Sequence, residues 1–179
     1  MRSTGSAEMG IVPRPVWALW QSANMMLVDR SHIRVKAVLI EPNDDFTAHA
    51  VSLNPATAEN ASGYHRLIGG GVELGETHHD AIVREVDEEL GATIRDLAFV
   101  TAFESIFRID GTLGHEIVFL YVGRLEPSPA LTGASLTEID GSVMPVVWRP
   151  IDDQDEPLPL YPSATVDWVR SLSSRRHPQ

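Results

Sequence analysis

The segment GGGVELGETHHDAIVREVDEELGA, residues 69–92, decides how this chain folds and what it can bind. Within it, apolar residues recur every four positions, at Ile82, Val86 and Leu90. This spacing predicts an amphipathic helix over 77–90. Thr77 with Asp80 resembles a capping box at the helix start, with Asp in place of the usual Glu or Gln. Gly91 is typical of a helix end. We therefore expect a glycine-rich loop followed by one helix.

Three glutamates of this helix are spaced so that they share a face: Glu85, Glu88 and Glu89. We expect Arg84 and Asp87 to leave this cluster on a different side. A solvated acidic face is the ordinary interpretation of such a helix. The alternative is the ligand set of a hard cation such as Mg²⁺ or Mn²⁺, which prefers carboxylate and carbonyl oxygens. The adjacent glycines favour the second interpretation, because they can bring bare backbone close to a ligand.

The whole segment resembles the Nudix box in every fixed position. Gly70 is followed by five residues, Glu76, seven residues and then REVDEELGA. The flanking segments YHRLIGGG, GHEIVFLYVGRL and VVWRPID are similar to the family as well, so that the resemblance covers roughly residues 32–172. Ile68 departs from the proline that many members carry before the glycines. The resemblance implies an α/β (α+β) fold, an α/β/α sandwich around a mixed β-sheet.

The resemblance also implies an activity, the hydrolysis of a nucleoside diphosphate linked to another group. By position, the divalent-cation ligands would be the Gly70 carbonyl and the side chains of Glu85, Glu88 and Glu89. The cation would be Mg²⁺, with Mn²⁺ as a substitute, and it would neutralise carboxylates that no lysine compensates. Glu88 or Glu89 would act as the base. Glu76 and Arg84 would form a structural pair, and Gly91 would end the helix.

Glu116 is a further candidate for the site, because it begins HEIVFLYVGRL, a strand that is apolar on both faces and is therefore expected to be buried. A carboxylate there is costly unless it meets a cation or hydrogen-bond donors. It could reach the metal site as an extra ligand or as the base. It could equally pair with Arg66 or Arg108, or lie at an exposed strand end.

Candidate substrate-binding residues are Tyr64, Arg66 and Arg108, for which packing or surface charge is the alternative role. We expect His78 and His79 to be exposed at the helix start. The substrate itself stays open between nucleoside di- or triphosphates and nucleotide sugars.

The rest of the chain predicts one domain over residues 31–176, preceded by a leader or extension over 1–30. Strands are expected at 32–40, 47–53, 64–68, 94–110 and 115–125, with a last strand at 143–151. A closing helix is expected over 163–172, with Ser163 as its cap.

The composition narrows the classes of function. A net charge of −11 argues against a nucleic-acid partner. No apolar run is long enough for a membrane helix, and we expect a cytoplasmic protein. The sequence has no cysteine, which excludes thiolate metal sites and disfavours an isomerase of this fold that needs a catalytic cysteine. A non-catalytic nucleotide sensor is the other alternative, and a homodimer stays open.

Overall fold

The structure is a computed structural model that describes residues 32–138 and 140–176. The predicted leader over 1–30 lies outside the described residues. No helix in the described part of the chain has the length and apolar character needed to cross a membrane.

The described residues form eight strands and two α-helices. The strands are β1 (Arg34–Pro42), β2 (Ala48–Asn54), β3 (Tyr64–Arg66), β4 (Thr93–Ile109), β5 (Thr112–Glu126), β6 (Ser135–Thr137), β7 (Val143–Pro150) and β8 (Leu160–Tyr161). The helices are α1 (His78–Leu90) and α2 (Val166–Ser171), the second flanked by 3₁₀ turns at Ser163–Thr165 and Leu172–Arg176.

The strands build one mixed sheet, in the order β4-β5-β1-β2-β3-β8, with β7 beside β2 and β6 beside β7. The β1–β5 and β3–β8 pairs are parallel, and the other pairs are antiparallel. The predicted fold class, a mixed sheet with helices, is confirmed.

Two apolar clusters form the core, and β1 contributes to both because its side chains alternate between the faces of the sheet. Ala37 and Leu39 pack in a cluster with residues of α1, including Ile82 and Val86. Val38 and Ile40 pack in the other cluster, which includes Val169 of α2. Since α1 thus packs against β1, its position relative to that strand is fixed.

Helix α1 begins and ends where its sequence predicts. The Thr77 hydroxyl accepts a hydrogen bond from the Asp80 backbone N–H at 3.1 Å and donates one to the Asp80 carboxylate at 2.8 Å. Gly91 adopts the left-handed conformation, with φ 61°, and its N–H donates to the Asp87 carbonyl. A left-handed residue at this position is favourable only for glycine, so the helix ends there.

Two predictions about the C-terminal third were wrong. The strand near 143–151 is not the last, because the two-residue β8 follows it, and the three-residue β6 precedes it. Ser163 does not cap a helix. It begins a 3₁₀ turn, α2 starts at Val166, and neither start has a side-chain cap hydrogen bond. Strands of two or three residues are too short to show a period, and their pairing depends on distant partners.

Candidate metal and phosphate site

Gly70 brings the glycine loop against α1. Its carbonyl accepts a hydrogen bond from the Ala37 N–H of β1 at 3.0 Å. A Cβ placed on Gly70 would lie 2.2–2.3 Å from the three atoms of the Glu85 carboxyl group. The Glu85 carboxylate therefore occupies the space that any other residue at 70 would fill. Glu85 is 8% exposed, and this burial raises its pKa, opposed by Arg84.

Glu89, one turn further along α1, has a carboxylate oxygen without a partner. Its Oε2 atom is buried and makes no hydrogen bond with any described residue. Burial, followed by the nearby charges of Glu138 and Glu85, raises the pKa of Glu89 to about 7. A buried acceptor without a donor is rare in folded proteins and marks a place where an ion, a water molecule or a ligand belongs.

Arg84 lies within the carboxylate cluster, and the expectation that it would leave the cluster was wrong. Its guanidinium donates to both carboxylate oxygens of Glu76, at 2.8 and 2.9 Å. It also donates to Glu88 at 2.9 Å and to the Gly71 carbonyl at 2.9 Å, and it lies 3.1 Å from Glu85. The hydrogen bonds from Arg84 lower the pKa of Glu76 to about 2. One arginine thus holds the loop, the helix and three carboxylates together.

Lys36 of β1 is a functional candidate that the sequence did not reveal. We expected no lysine to compensate the glutamates, but the charge of Lys36 opposes the rise in the pKa values of Glu85 and Glu89 that burial causes. Glu138, directly after β6, was missed as well. Nothing in the sequence pairs Lys36 with residues of α1.

Glu116 is buried, with 6% exposure, and pairs with an arginine other than those expected. Arg34 lies opposite it in the parallel β1–β5 register, and its guanidinium donates to the Glu116 carboxylate at 2.5 Å. Arg66 instead lies 3.8 Å from Glu138, and Arg108 donates to the Gly111 carbonyl at 3.1 Å.

The three candidate substrate-binding residues lie in different surroundings. Tyr64 is buried and packs edge-on against Tyr161, with ring centroids 5.5 Å apart. Arg108 is exposed near the turn between β4 and β5. Arg66 is half-buried, and its charge acts on Glu89. Of the three, Arg66 is the residue with a glutamate nearby, because its guanidinium lies 3.8 Å from Glu138.

The first histidine of α1 does not have the predicted exposure. His78 is half-buried and stacks on Phe119, with centroids 3.9 Å apart and planes 7° from parallel. One of its ring nitrogens lies 2.5 Å from the Tyr121 hydroxyl. His79 is exposed, as predicted. His78 therefore helps to fix the start of α1 on the sheet.

The donors suit a hard cation, but they are not gathered around one point. Among the described residues, no group of three or more His, Asp or Glu side chains is close enough to hold a metal ion. Arg84 instead donates to Glu88 and lies 3.1 Å from Glu85. The unpartnered Glu89 oxygen and the Glu85 carboxylate against Gly70 are the oxygen donors that Mg²⁺ prefers. The residues present therefore fit a divalent cation in their chemistry.

A family model described as the NUDIX domain matches residues 30–169. No curated protein matches the chain by sequence. Similar solved structures include a MutT NUDIX hydrolase from Burkholderia pseudomallei, with 20% identity, 80% of this chain and 97% of that chain covered, and a TM-score of 0.53. A NUDIX hydrolase from Nitrosomonas europaea has 14% identity, coverages of 80% and 90%, and a TM-score of 0.53. An ADP compounds hydrolase has 20% identity, coverages of 79% and 71%, and a TM-score of 0.54. At these identities, the likeness to solved structures establishes the fold alone.

Proposed function

This chain belongs to the Nudix family of hydrolases, which act on phosphorus anhydride bonds, and from that premise we propose that it is a Mg²⁺-dependent pyrophosphohydrolase. Its substrate is a nucleoside diphosphate derivative, either a nucleoside di- or triphosphate or a nucleotide sugar. Mn²⁺ can replace Mg²⁺. The cytoplasmic location, the absence of a nucleic-acid partner and the homodimer stay predictions.

The observation that carries this proposal is the buried Oε2 atom of Glu89, which has no hydrogen-bond partner among the described residues. A carboxylate oxygen in that position is costly unless a cation or a donor meets it. Glu85, whose charge also acts on Glu89, supplies a second buried carboxylate. Like charges repel, and a bound cation would offset the repulsion between these two carboxylates.

Glu85, Glu89 and the Gly70 carbonyl would hold the cation, with Glu88 joining them once it exchanges its hydrogen bond to Arg84. When bound, the cation offsets the negative charge of the diphosphate and of the leaving phosphate. Glu88 or Glu89 takes the proton of the attacking water, which is the work of a carboxylate base. The buried Oε2 atom of Glu89, which has no hydrogen-bond partner among the described residues, favours Glu89 for this role.

Arg84 and Glu76 position these groups rather than react. Their two parallel hydrogen bonds fix the guanidinium, which in turn contacts Glu85 and Glu88. A bidentate pair of this kind has a defined geometry as well as strength. Gly91 ends α1 just beyond Glu89 and so limits the helix to the residues that carry the carboxylates.

Glu116 has the weaker claim to a catalytic role. Its 2.5 Å contact with Arg34 supports the structural interpretation, in which a buried carboxylate is satisfied by an ion pair across two strands. Among the substrate-binding candidates, the position of Arg66 supports a role in binding. Tyr64 and Arg108 have weaker support, because one is packed and the other lies near the hairpin turn.

A phosphate-release screen over nucleoside di- and triphosphates and nucleotide sugars, with Mg²⁺ or Mn²⁺, tests the proposal. The control is Glu89→Gln, which keeps the size of the side chain and removes its charge. We expect turnover of at least one compound, lost in chelator and in the variant. Binding without turnover across the panel would instead support the nucleotide sensor.

A further inference from the structure

A group of buried polar side chains lies on the face of the sheet that packs against α2. Val51 of β2 belongs to the same apolar cluster as Val169 of α2. Side chains two residues apart on a strand share a face, so His49 points to the α2 side as well. His49 and Arg149 are register partners in the antiparallel β2–β7 pair, and they are 0% and 3% exposed. Such partners have their Cβ atoms about 5 Å apart, so the two side chains are neighbours.

Arg149 also contacts a second buried histidine. Its guanidinium donates to the Nδ1 atom of His65 in β3 at 2.9 Å and to the Leu158 carbonyl at 2.6 Å. Because a guanidinium can only donate, Nδ1 of His65 accepts, and His65 is neutral with its proton on Nε2. Neither ring nitrogen of His49 has a hydrogen-bond partner among the described residues. A charge on either histidine would therefore face a permanent cation.

Asp153 joins Arg149 to α2. Its Oδ2 atom accepts a hydrogen bond from Arg149 at 2.9 Å, and its Oδ1 atom accepts one from Arg170 of α2 at 2.8 Å. The Asp153 side chain is 9% exposed, so this bridge is largely removed from water. Arg170 is half exposed and also lies 3.8 Å from Asp167. Each oxygen of Asp153 is thus already paired with one arginine.

The charges around the two histidines disfavour a further proton. Burial, followed by the charges of Arg149 and His65, lowers the pKa of His49 to about 3, and Asp153 opposes this shift. Burial and Arg149 also lower the pKa of His65, opposed by Glu156. A cation at His65 would lie 2.9 Å from the guanidinium, and both oxygens of Asp153 are already used. A buried charge in such a position is costly, so the histidines stay neutral while they are buried.

We propose that His49, His65, Arg149 and Asp153 form an acid-sensitive latch: at low pH, Arg170 leaves Asp153, α2 detaches from the sheet, and both histidines take up protons. The strands that carry the histidines and Arg149 are held by ladders of backbone hydrogen bonds. By contrast, α2 has six residues, and a helix of that length has little stability of its own. It is therefore the element that opens first.

The direction of the pH effect follows from the neutral histidines. The pKa of both is lower in the folded domain than the ordinary value of 6.5, so the latch is fully closed above that pH and weakens as the pH falls below it. Each histidine that takes up a proton on opening raises the opening equilibrium roughly tenfold per pH unit. From pH 7 to pH 5, this amounts to roughly 25-fold for each histidine.

The test is amide hydrogen exchange of the full chain at pH 7 and pH 5, corrected for the intrinsic effect of pH and read by mass spectrometry over α2 and over α1. The variants are His65→Asn, which keeps an acceptor near the position of Nδ1, and His49→Leu, which removes the titratable ring. The matched control is His79→Asn, because His79 is an exposed histidine. No substrate is added, so the result does not depend on the proposed function.

We expect protection over α2 in the parent to fall by up to roughly 600-fold between pH 7 and pH 5, the product of the two histidine effects, while α1 stays protected. Each histidine variant should lose roughly 25-fold of this dependence, and His79→Asn should behave like the parent. An unchanged pH dependence in either variant would overturn the inference. An equal loss of protection over α1 would overturn it too, because it would indicate global unfolding.

A measurement on the parent alone decides the matter if either variant fails to fold. The protonation of His49 and His65 is followed by NMR at pH 5.5, together with the protection of α2. We expect both rings to stay neutral for as long as α2 is protected. Protonation of both rings while α2 stays protected would overturn the inference.

Discussion

Replacing Gly70 by alanine is the sharpest perturbation of this site, because it adds one methyl group directly against Glu85. The new Cβ would lie 2.2–2.3 Å from the carboxyl carbon and both oxygens of Glu85. Ordinary van der Waals contact begins at 3.4 Å. Glu85 must therefore move by about 1 Å, since carbon and oxygen atoms cannot approach more closely at acceptable energy.

This displacement predicts the size of the effect. A misplacement of about 1 Å in a catalytic arrangement can lower kcat/KM by about a hundredfold. The added group also overpacks a buried position, which costs roughly 1–3 kcal/mol. For a domain of this size, that corresponds to a fall in melting temperature of roughly 2–10 °C. Gly70→Ala should therefore stay folded at room temperature while losing most of its activity.

The assay compares kcat/KM, Mn²⁺ affinity and thermal melting for the parent, Gly70→Ala and Gly71→Ala. Gly71 is the matched control, because a Cβ there would meet no heavy atom of the described chain within 4 Å. We expect Gly70→Ala alone to lose activity and Mn²⁺ affinity. If Gly70→Ala kept both to within about threefold of the parent, the assignment of Glu85 and Gly70 to the cation site would be wrong.

Three further predictions concern single side chains. Arg84→Ala should lower both the melting temperature and kcat, because it leaves Glu76 without its partner, and a parental melting curve would exclude the positioning role. Glu116→Gln should lower the melting temperature and change kcat by less than about tenfold, since it breaks the ion pair with Arg34. A large loss of kcat with an unchanged melting temperature would instead place Glu116 in the reaction. Glu41 is 1% exposed, and burial raises its pKa to about 7, above its value in the unfolded chain. Its contribution to the free energy of unfolding is therefore complete at low pH and is lost as the pH rises through about 7. In denaturant unfolding, the free energy of unfolding of the parent should therefore fall by up to about 3 kcal/mol more than that of Glu41→Gln between pH 4.5 and about pH 8. An equal pH dependence in both proteins would contradict this.

The sequence predicts α1 and its ends because every determinant is local. The apolar spacing, the Thr77 cap and the left-handed Gly91 all lie within one segment of 15 residues, 77–91. The long strands are predictable for the same reason, because their alternation extends over many positions. The β1–β2 hairpin follows from the turn between the two strands, although β2 forms more pairs with β7 than with β1.

The arrangement around the glutamates could not be predicted in the same way. Helical spacing predicts which residues share a face of α1, but it does not predict where a long side chain ends. The Arg84 side chain reaches Glu76 in the preceding loop. Arg66 and Glu138 come from segments far apart in the sequence, so their 3.8 Å contact depends on the complete fold. Glu138 follows β6, a strand of three residues that is too short to show the alternation from which strands are predicted.

The most direct test of the account is the turnover of the best substrate by the parent and by Glu89→Gln, each measured in Mg²⁺ and in chelator. We predict that the parent is active only with the cation and that Glu89→Gln, with an unchanged melting temperature, is slower by roughly a hundredfold or more. Parental turnover in chelator, or parental kcat in Glu89→Gln, would contradict the central claim that these buried carboxylates hold the cation and drive hydrolysis.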